Sequence, residues 1–254
     1  MKKLGYLLIS ALALAACSND AEAVSTNTDS KFVDKATPAG VQPENDLIGG
    51  DWKLEFSDEF NDGRIDFNKW IVKDESRGSR PALGITEWFF KPEAVEEKDD
   101  ALVIKAKKVG DDIMYCGSVY SYTKYNMHHG YVEARIKLAD MKKSVLTAFW
   151  LQSPTMGNVD GTGNDGAEID IFESAYVTDE LITTIHIDGY AESHKEKNFR
   201  YDTPGVFEGY HTWGMLWDEE GIKVYYDGEL KATFDGIWVP EKAVNEYLYL
   251  STIA

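Results

Sequence analysis

The chain has 254 residues, a formal net charge of −18, and a composition that is 43% hydrophobic and 13% aromatic. That apolar and aromatic content excludes a disordered chain. The acidic balance excludes nucleic acid as the default partner, because phosphates are held through Lys and Arg. Two cysteines, Cys17 and Cys116, supply neither a disulfide framework nor a four-thiolate zinc site.

Taken in order, the chain begins with Lys2 and Lys3 and an apolar run from Leu4 to Ala16 that ends in small residues. The run is short for a bilayer span and carries the flanks of a secretory signal. Leu14-Ala-Ala-Cys17 resembles a bacterial lipobox, in which the Cys becomes the lipidated first residue. Segment 1–16 is therefore expected to be a lipoprotein signal peptide, and Cys17 a membrane anchor. Ser18, where an inner-membrane lipoprotein would carry Asp, points to the outer membrane of the cell envelope. Residues 17–50 are rich in Ser, Thr, Asn, Asp, Ala and Pro and read as a flexible tether. The folded domain is expected over 51–254, and as a monomer.

Short runs of Val, Ile, Tyr, Phe and Trp, separated by Gly, Asp, Asn and Pro, recur through that domain. Leu102–Ala106, Gly130–Lys137 and Ile222–Tyr226 alternate or nearly so. Asp227-Gly228, between Ile222–Tyr226 and Glu229–Phe234, predicts a two-residue hairpin in which both turn positions need φ > 0. Many short strands and little helix signal predict an all-β sandwich or barrel in one domain.

The most informative segment is Glu168-Ile-Asp170-Ile-Phe-Glu173. As a strand it places Glu168 and Asp170 on one face and Glu173 on the other. One extra residue between Asp170 and Glu173, a β-bulge, would return Glu173 to the face of the other two. The end pair would then stand two alternate positions apart, a spacing compatible with the ~5–5.5 Å carboxyl separation of a retaining glycosidase. A solvated sheet edge is the competing reading of three acids in six residues. Crowding three like charges on an apolar strand is costly, however, unless one is kept protonated for use.

This segment matches the Glu-x-Asp-x-x-Glu signature of glycoside hydrolase family 16 in its bulged form. Phe56-Ser-Asp-Glu-Phe-Asn61 with Trp70 resembles the family's opening strand. Gly130–Arg135, Ala148-Phe-Trp-Leu151, His186, Tyr210-His-Thr-Trp213 and Tyr226-Asp-Gly228 follow in the family's order. The resemblance implies a concanavalin A-like β-jelly roll of two curved antiparallel sheets, with a sugar-binding cleft on the concave face. It implies Glu168 as nucleophile, Glu173 as general acid/base and Asp170 as the residue that orients the nucleophile. Trp150 is expected to present its ring to a sugar, Trp88 to sit at a sugar platform, and His186 to hydrogen-bond near the acid/base. Core tryptophans and a buried histidine are the competing readings. His128-His129 and His211 read as structural, and Cys116 as a buried, inert thiol.

Two departures stand out. Where many β-1,3-glucan-cleaving relatives carry Trp-Pro, this chain has the Gly- and Asp-rich stretch Pro154–Asp165. The family's final strand is expected to be lacking after Tyr247–Thr252, which would leave an unpaired edge inside a sheet. The same strand would supply the closing ligand of the family's structural calcium site, to which Asp58 and Glu59 lie near, so no cofactor is assigned and calcium stays weakly supported.

The function that the resemblance implies is retaining endo-hydrolysis of a β-linked polysaccharide, foremost a β-1,3- or β-1,3-1,4-glucan. The negative charge favours a neutral glucan over a sulfated galactan such as agar, porphyran or carrageenan. Arg77, Arg80, Lys124 and Lys143 are the cations that could form a local sulfate site. A non-catalytic surface carbohydrate-binding protein is the alternative of a different class.

Overall fold

The computed structural model describes the backbone of 5–10 and residues 52–138, 146–174 and 179–253. In chain order the strands are β1 (Gly5–Ser10), β2 (Ile71–Val72), β3 (Glu75–Arg80), β4 (Ile85–Phe90), β5 (Val95–Glu97) and β6 (Ala101–Val109). They continue as β7 (Ile113–Cys116), β8 (Ser118–Tyr120), β9 (Gly130–Leu138), β10 (Leu146–Gln152), β11 (Glu168–Glu173) and β12 (Glu180–Ile187). The last are β13 (Lys195–Asp202), β14 (His211–Asp218), β15 (Gly221–Tyr226), β16 (Glu229–Phe234) and β17 (Tyr247–Ile253). The helical turns among the described residues are short 3₁₀ segments such as Pro81–Leu83 and Gly236–Trp238.

Two sheets face each other as an all-β jelly roll. The first runs β16-β15-β14-β9-β1-β6-β7-β4-β3, with β5 also paired to β6; the second runs β13-β12-β11-β10-β17-β8-β2. Every pairing is antiparallel except β4 with β7, whose connection passes through β5 and β6. Alternation decides which side chains meet between the sheets. Trp213, Met215 and Trp217 of β14 point inward, as do Ile136 and Leu138 of β9; opposite them lie Leu151, Ile169, Phe172, Ile185 and Leu250. The predicted hairpin forms between β15 and β16, with Asp227 at φ 45° and Gly228 at φ 76°. Gly214 on β14 lies under the Tyr131 ring, so close that a Cβ there would fall 2.1 Å from its hydroxyl. Any larger residue there would require the Tyr131 ring to shift.

Two expectations about the termini of the fold need comment. Phe56–Asn61 is not a strand. The Asp58 carboxylate accepts the Phe60 N–H at 3.1 Å and the Trp70 indole N–H at 2.9 Å, and Phe60 turns to φ 50°. A turn closed by its own aspartate cannot also pair in a ladder. Its aromatic residues instead pack on the core, Phe56 and Phe60 both against Trp70. Gly5–Ser10, inside the stretch read as a signal, forms a strand between β6 and β9, antiparallel to both. The interior edge expected to lie bare is thus covered among the described residues. The tether 17–50 lies outside them.

Phe172 is the packing anchor of β11. It is buried, and its ring stacks on Trp213 of the opposite sheet at 4.5 Å. Phe172→Ala is expected to cost about 3–5 kcal/mol of stability, read as a shift in urea midpoint at unchanged slope. An unchanged midpoint would show that β11 is not held through this ring.

Candidate active site

The bulge is present in β11. On the β12 side, Asp170 opposes Thr184 while Glu173 opposes Ile182, so three residues of β11 span two of its neighbour. On the β10 side, Trp150 opposes Asp170 and the adjacent Phe149 opposes Phe172, which leaves Ile171 as the extra residue. The alternation is thereby reset, and Glu168, Asp170 and Glu173 share one face while Ile169 and Phe172 fill the core. The sheet register then lays out the cleft floor in rows. One row reads Glu196, His186, Glu168, Gln152 and Tyr247; the next reads Asn198, Thr184, Asp170, Trp150, Tyr249 and Tyr120.

Environment separates the three acids. Gln152 Nε2 donates to Glu168 Oε2 at 2.7 Å, and the Tyr190 hydroxyl donates to the same oxygen. Burial raises the Glu168 carboxyl above its ordinary range, and these two bonds with His186 counter it by favouring the charged form. Glu173 has no such compensation: burial first, then the charges of Asp170 and Glu168, push it up to about 8. Asp170 is deeply buried, and burial followed by Glu168 holds its carboxyl well above the usual range. His186 Nε2 lies 3.3 Å from Asp170 Oδ2 and 3.9 Å from Glu168 Oε1. The arrangement therefore offers one carboxyl group hydrogen-bonded by two donors, one carboxylic acid that holds its proton at neutral pH, and a third, deeply buried acid between them. Such a split of like groups is what acid and nucleophile chemistry at one centre requires.

The aromatic residues are sorted differently from expectation. Trp150 does lie beside the acids, half-buried, with its indole N–H donating to Ser251 Oγ at 3.0 Å. Tyr249 covers one of its faces at 4.1 Å, and Tyr120 stacks on Tyr249 in turn at 5.2 Å. Tyr249 therefore leaves at most the other face of Trp150 for a sugar. Trp88 is a correction. It is 1% exposed, with Phe90 edge-on and the Arg77 and Arg80 guanidinium groups over its ring. A ring covered in this way has no face left for a sugar. His211 bonds to Asp227 at 2.6 Å and to the Tyr226 hydroxyl at 2.9 Å, a structural role beside the hairpin. Burial pushes the Cys116 thiol up to about 12, which leaves it unreactive.

Of the four cations named for a sulfate site, Arg77 and Arg80 meet over one ring, and Lys124 does not join them. Arg77 and Arg80 sit on Trp88. Lys124 lines a hollow with Leu54, Asn68 and Lys69 that includes neither arginine. Lys143 lies outside the described residues. Lys73, which the sequence did not single out, is the cation nearest the aromatic row, 5.0 Å from the Tyr120 ring and 5.3 Å from Tyr249. Asp58 does not suit a calcium ligand, because both its oxygens already accept N–H donors and Lys69 lies 3.8 Å away.

Three further residues escaped the sequence. Gln152 was within reach, since alternation from Trp150 puts it on the cleft face. Tyr190 comes from the loop after β12, where no period applies. Glu246 accepts the Ala167 N–H at 3.1 Å and is fully buried, which holds its carboxyl well above the ordinary range and pins the residue before Glu168. The Gly- and Asp-rich loop is anchored too: Asp188 accepts the Asp160 and Gly161 N–H groups and pairs with Lys195 at 3.0 Å. Tyr190→Phe, which removes one donor from Glu168, is expected to lower kcat/KM about 3–30-fold. It should also move the acidic limb of the pH profile upward, because the lost bond favoured the charged form. An unmoved limb would show that Tyr190 does not tune Glu168.

A jelly roll whose bulged strand carries three acids on one face defines the chain as a glycoside hydrolase of family 16. Residues 52–253 match the family described as beta-porphyranase A-D, GH16 domain, and the chain belongs to that family. A curated relative, glucan endo-1,3-beta-glucosidase A1 of Niallia circulans, is 26% identical over 207 residues, covering 74% of this chain and 30% of the relative. The chain thus spans less than a third of that relative's length. Among solved structures, the laminarinase catalytic domain of Thermotoga petrophila RKU-1 is 25% identical with a TM-score of 0.64, over 80% of this chain and 87% of that one. A Bacteroides ovatus mixed-linkage glucan GH16 enzyme in complex with a G4G4G3G product shares the fold, at 23% identity and a TM-score of 0.62, over 78% and 86% of the two chains.

Proposed function

We propose that this protein is a retaining, endo-acting hydrolase of a β-linked polysaccharide, working by double displacement. The observation that carries the reading is the bulge that returns Glu173 to the face of Glu168 and Asp170. Glu168, whose charged form Gln152 and Tyr190 favour, attacks the anomeric carbon, and Glu173 gives its proton to the leaving oxygen. The glycosyl–Glu168 ester forms as the glycosidic bond breaks. Glu173, now a carboxylate, takes a proton from water, whose oxygen attacks the same carbon and releases Glu168. Asp170 sits between them as the group that orients the nucleophile, and the Trp150 face away from Tyr249 receives the sugar ring.

A β-1,3- or β-1,3-1,4-glucan is the first substrate. The relatives named above support it, as do the acidic centre and the net charge of −18, which repel a sulfated ring at the point of cleavage. A sulfated galactan is the second reading, favoured by the description of the matching family and by Lys73 over the rings of Tyr120 and Tyr249. The test is reducing-sugar release from laminarin, lichenan, agarose, porphyran and κ-carrageenan. Release from laminarin or lichenan is expected; release from porphyran or carrageenan alone, lost in Lys73→Ala, would install the second reading. Binding without release on every polymer would instead install a carbohydrate-binding protein.

Envelope location through a lipid on Cys17 belongs to the same proposal, supported by the Lys2-Lys3 and Leu14–Cys17 pattern. Cleavage before Cys17 would remove β1, so lipidation and an intact β1 are alternatives for the same residues. The mass of the N-terminal peptide from the membrane fraction distinguishes them, since lipidated Cys17 cannot coexist with Gly5–Ser10.

A further inference from the structure

We propose that His186, His194 and Glu196 form a site for a zinc-class transition-metal ion on the wall of the cleft. His186 and Glu196 are cross-strand partners on β12 and β13, and His194 lies in the connection between those strands. His186 Nδ1 stands 2.9 Å from His194 Nε2 and 3.5 Å from Glu196 Oε2, and the three donor atoms lie within 4.8 Å of one another. A tetrahedral ion with metal–nitrogen bonds of ~2.0–2.1 Å needs donors about 3.3 Å apart. The two separations bracket that value. The two imidazole ring centroids stand 5.1 Å apart with 20° between their planes.

The other nitrogen of His186 supplies a second, independent observation. Its Nε2 lies 3.3 Å from Asp170 Oδ2. A carboxyl group behind a metal-binding imidazole is a usual second partner of such a ligand, because it helps to hold the ring with its other nitrogen turned to the metal. Without an ion, His186 Nδ1 and His194 Nε2 share a hydrogen bond. With one, both rings turn their lone pairs to the metal, and Glu196, whose side chain is half exposed, closes the third position. Two imidazoles and one carboxylate suit zinc, copper or nickel over calcium or magnesium, which want oxygen alone. The fourth position faces solvent and is left for water. Glu168 and Asp170 also face His186, but they belong to the reacting centre and are not assigned as ligands.

The site can be read without measuring hydrolysis. Tag-free full-length protein titrated with cobalt(II) is expected to develop the intense visible bands of a tetrahedral ion, and zinc should displace them at one equivalent. His194→Gln and Glu196→Gln should each abolish the bands and weaken zinc binding at least tenfold by calorimetry. His128→Gln, which alters a histidine on a different loop, should leave both unchanged. Weak octahedral cobalt bands in the wild type, or zinc affinity unaltered in both ligand variants with native thermal midpoints, would overturn the assignment.

Discussion

Replacing either terminal acid of β11 is expected to stop polysaccharide hydrolysis, and the two variants should fail in opposite ways. In the proposed mechanism, Glu173→Ala loses the proton donor, worth about 10²–10⁴-fold. Glu168→Ala loses the covalent step itself and falls on the order of 10⁴-fold or more. Azide distinguishes them when the substrate carries an activated aryl leaving group, which needs no acid. In Glu168→Ala azide enters the space of the lost carboxylate and attacks directly, giving the inverted α-glycosyl azide. In Glu173→Ala the ester on Glu168 still forms, and azide opens it to give the β-glycosyl azide. Proton NMR of the products reads the anomer. Exchanged stereochemistry would swap the two roles, and near wild-type turnover in either variant would remove the assignment altogether.

The second large effect is on stability, and its sign follows from the raised acid. Glu173 holds its proton in the folded state up to about pH 8, whereas an ordinary glutamate releases it near 4.5. Between those values the folded chain binds one more proton than the unfolded chain, so stability falls as pH rises through that window. Glutamine has no proton to lose. Glu173→Gln is therefore expected to be neutral near pH 4.5 and to stabilise by roughly 2–4 kcal/mol at pH 8 and above. For a domain of this size that is about 5–10 °C in thermal midpoint, measurable by scanning calorimetry across pH 4.5–8.5. A constant difference at all pH values would show that packing, not the buried proton, sets the effect. Expected together with lost hydrolysis, the gain would identify the acid as a group retained for use at a cost in stability.

How much of this was legible in the chain differs by element. The hairpin at Asp227-Gly228 was, because two consecutive positive φ values admit few residue pairs. So was the bulge in β11: Ile169 and Phe172 both demand the core, and only one extra residue satisfies both while keeping the acids together. The turn at Asp58 was not, since an aspartate that caps its own backbone looks the same in sequence as one on a strand. Trp88 and Trp150 show the limit for aromatics. Both sit in apolar runs, but one is enclosed by Phe90 of its own strand and two arginines of β3, and the other stays half-buried with Tyr249 stacked on it.

The amino-acid sequence by itself determined the class of fold, the family and the three acids, because strand period, turn chemistry and a six-residue signature are local. Only the tertiary structure decided which partners those acids have. Gln152, Tyr190, His186 and Glu246 reach the centre from four different segments, and the long-range register of the second sheet brings them there. The same register decides that Glu173 keeps a proton while Glu168 receives the two hydrogen bonds that favour its charged form. Burial and neighbouring charge set a carboxyl's proton affinity, and both are properties of the assembled sheet rather than of any stretch of chain.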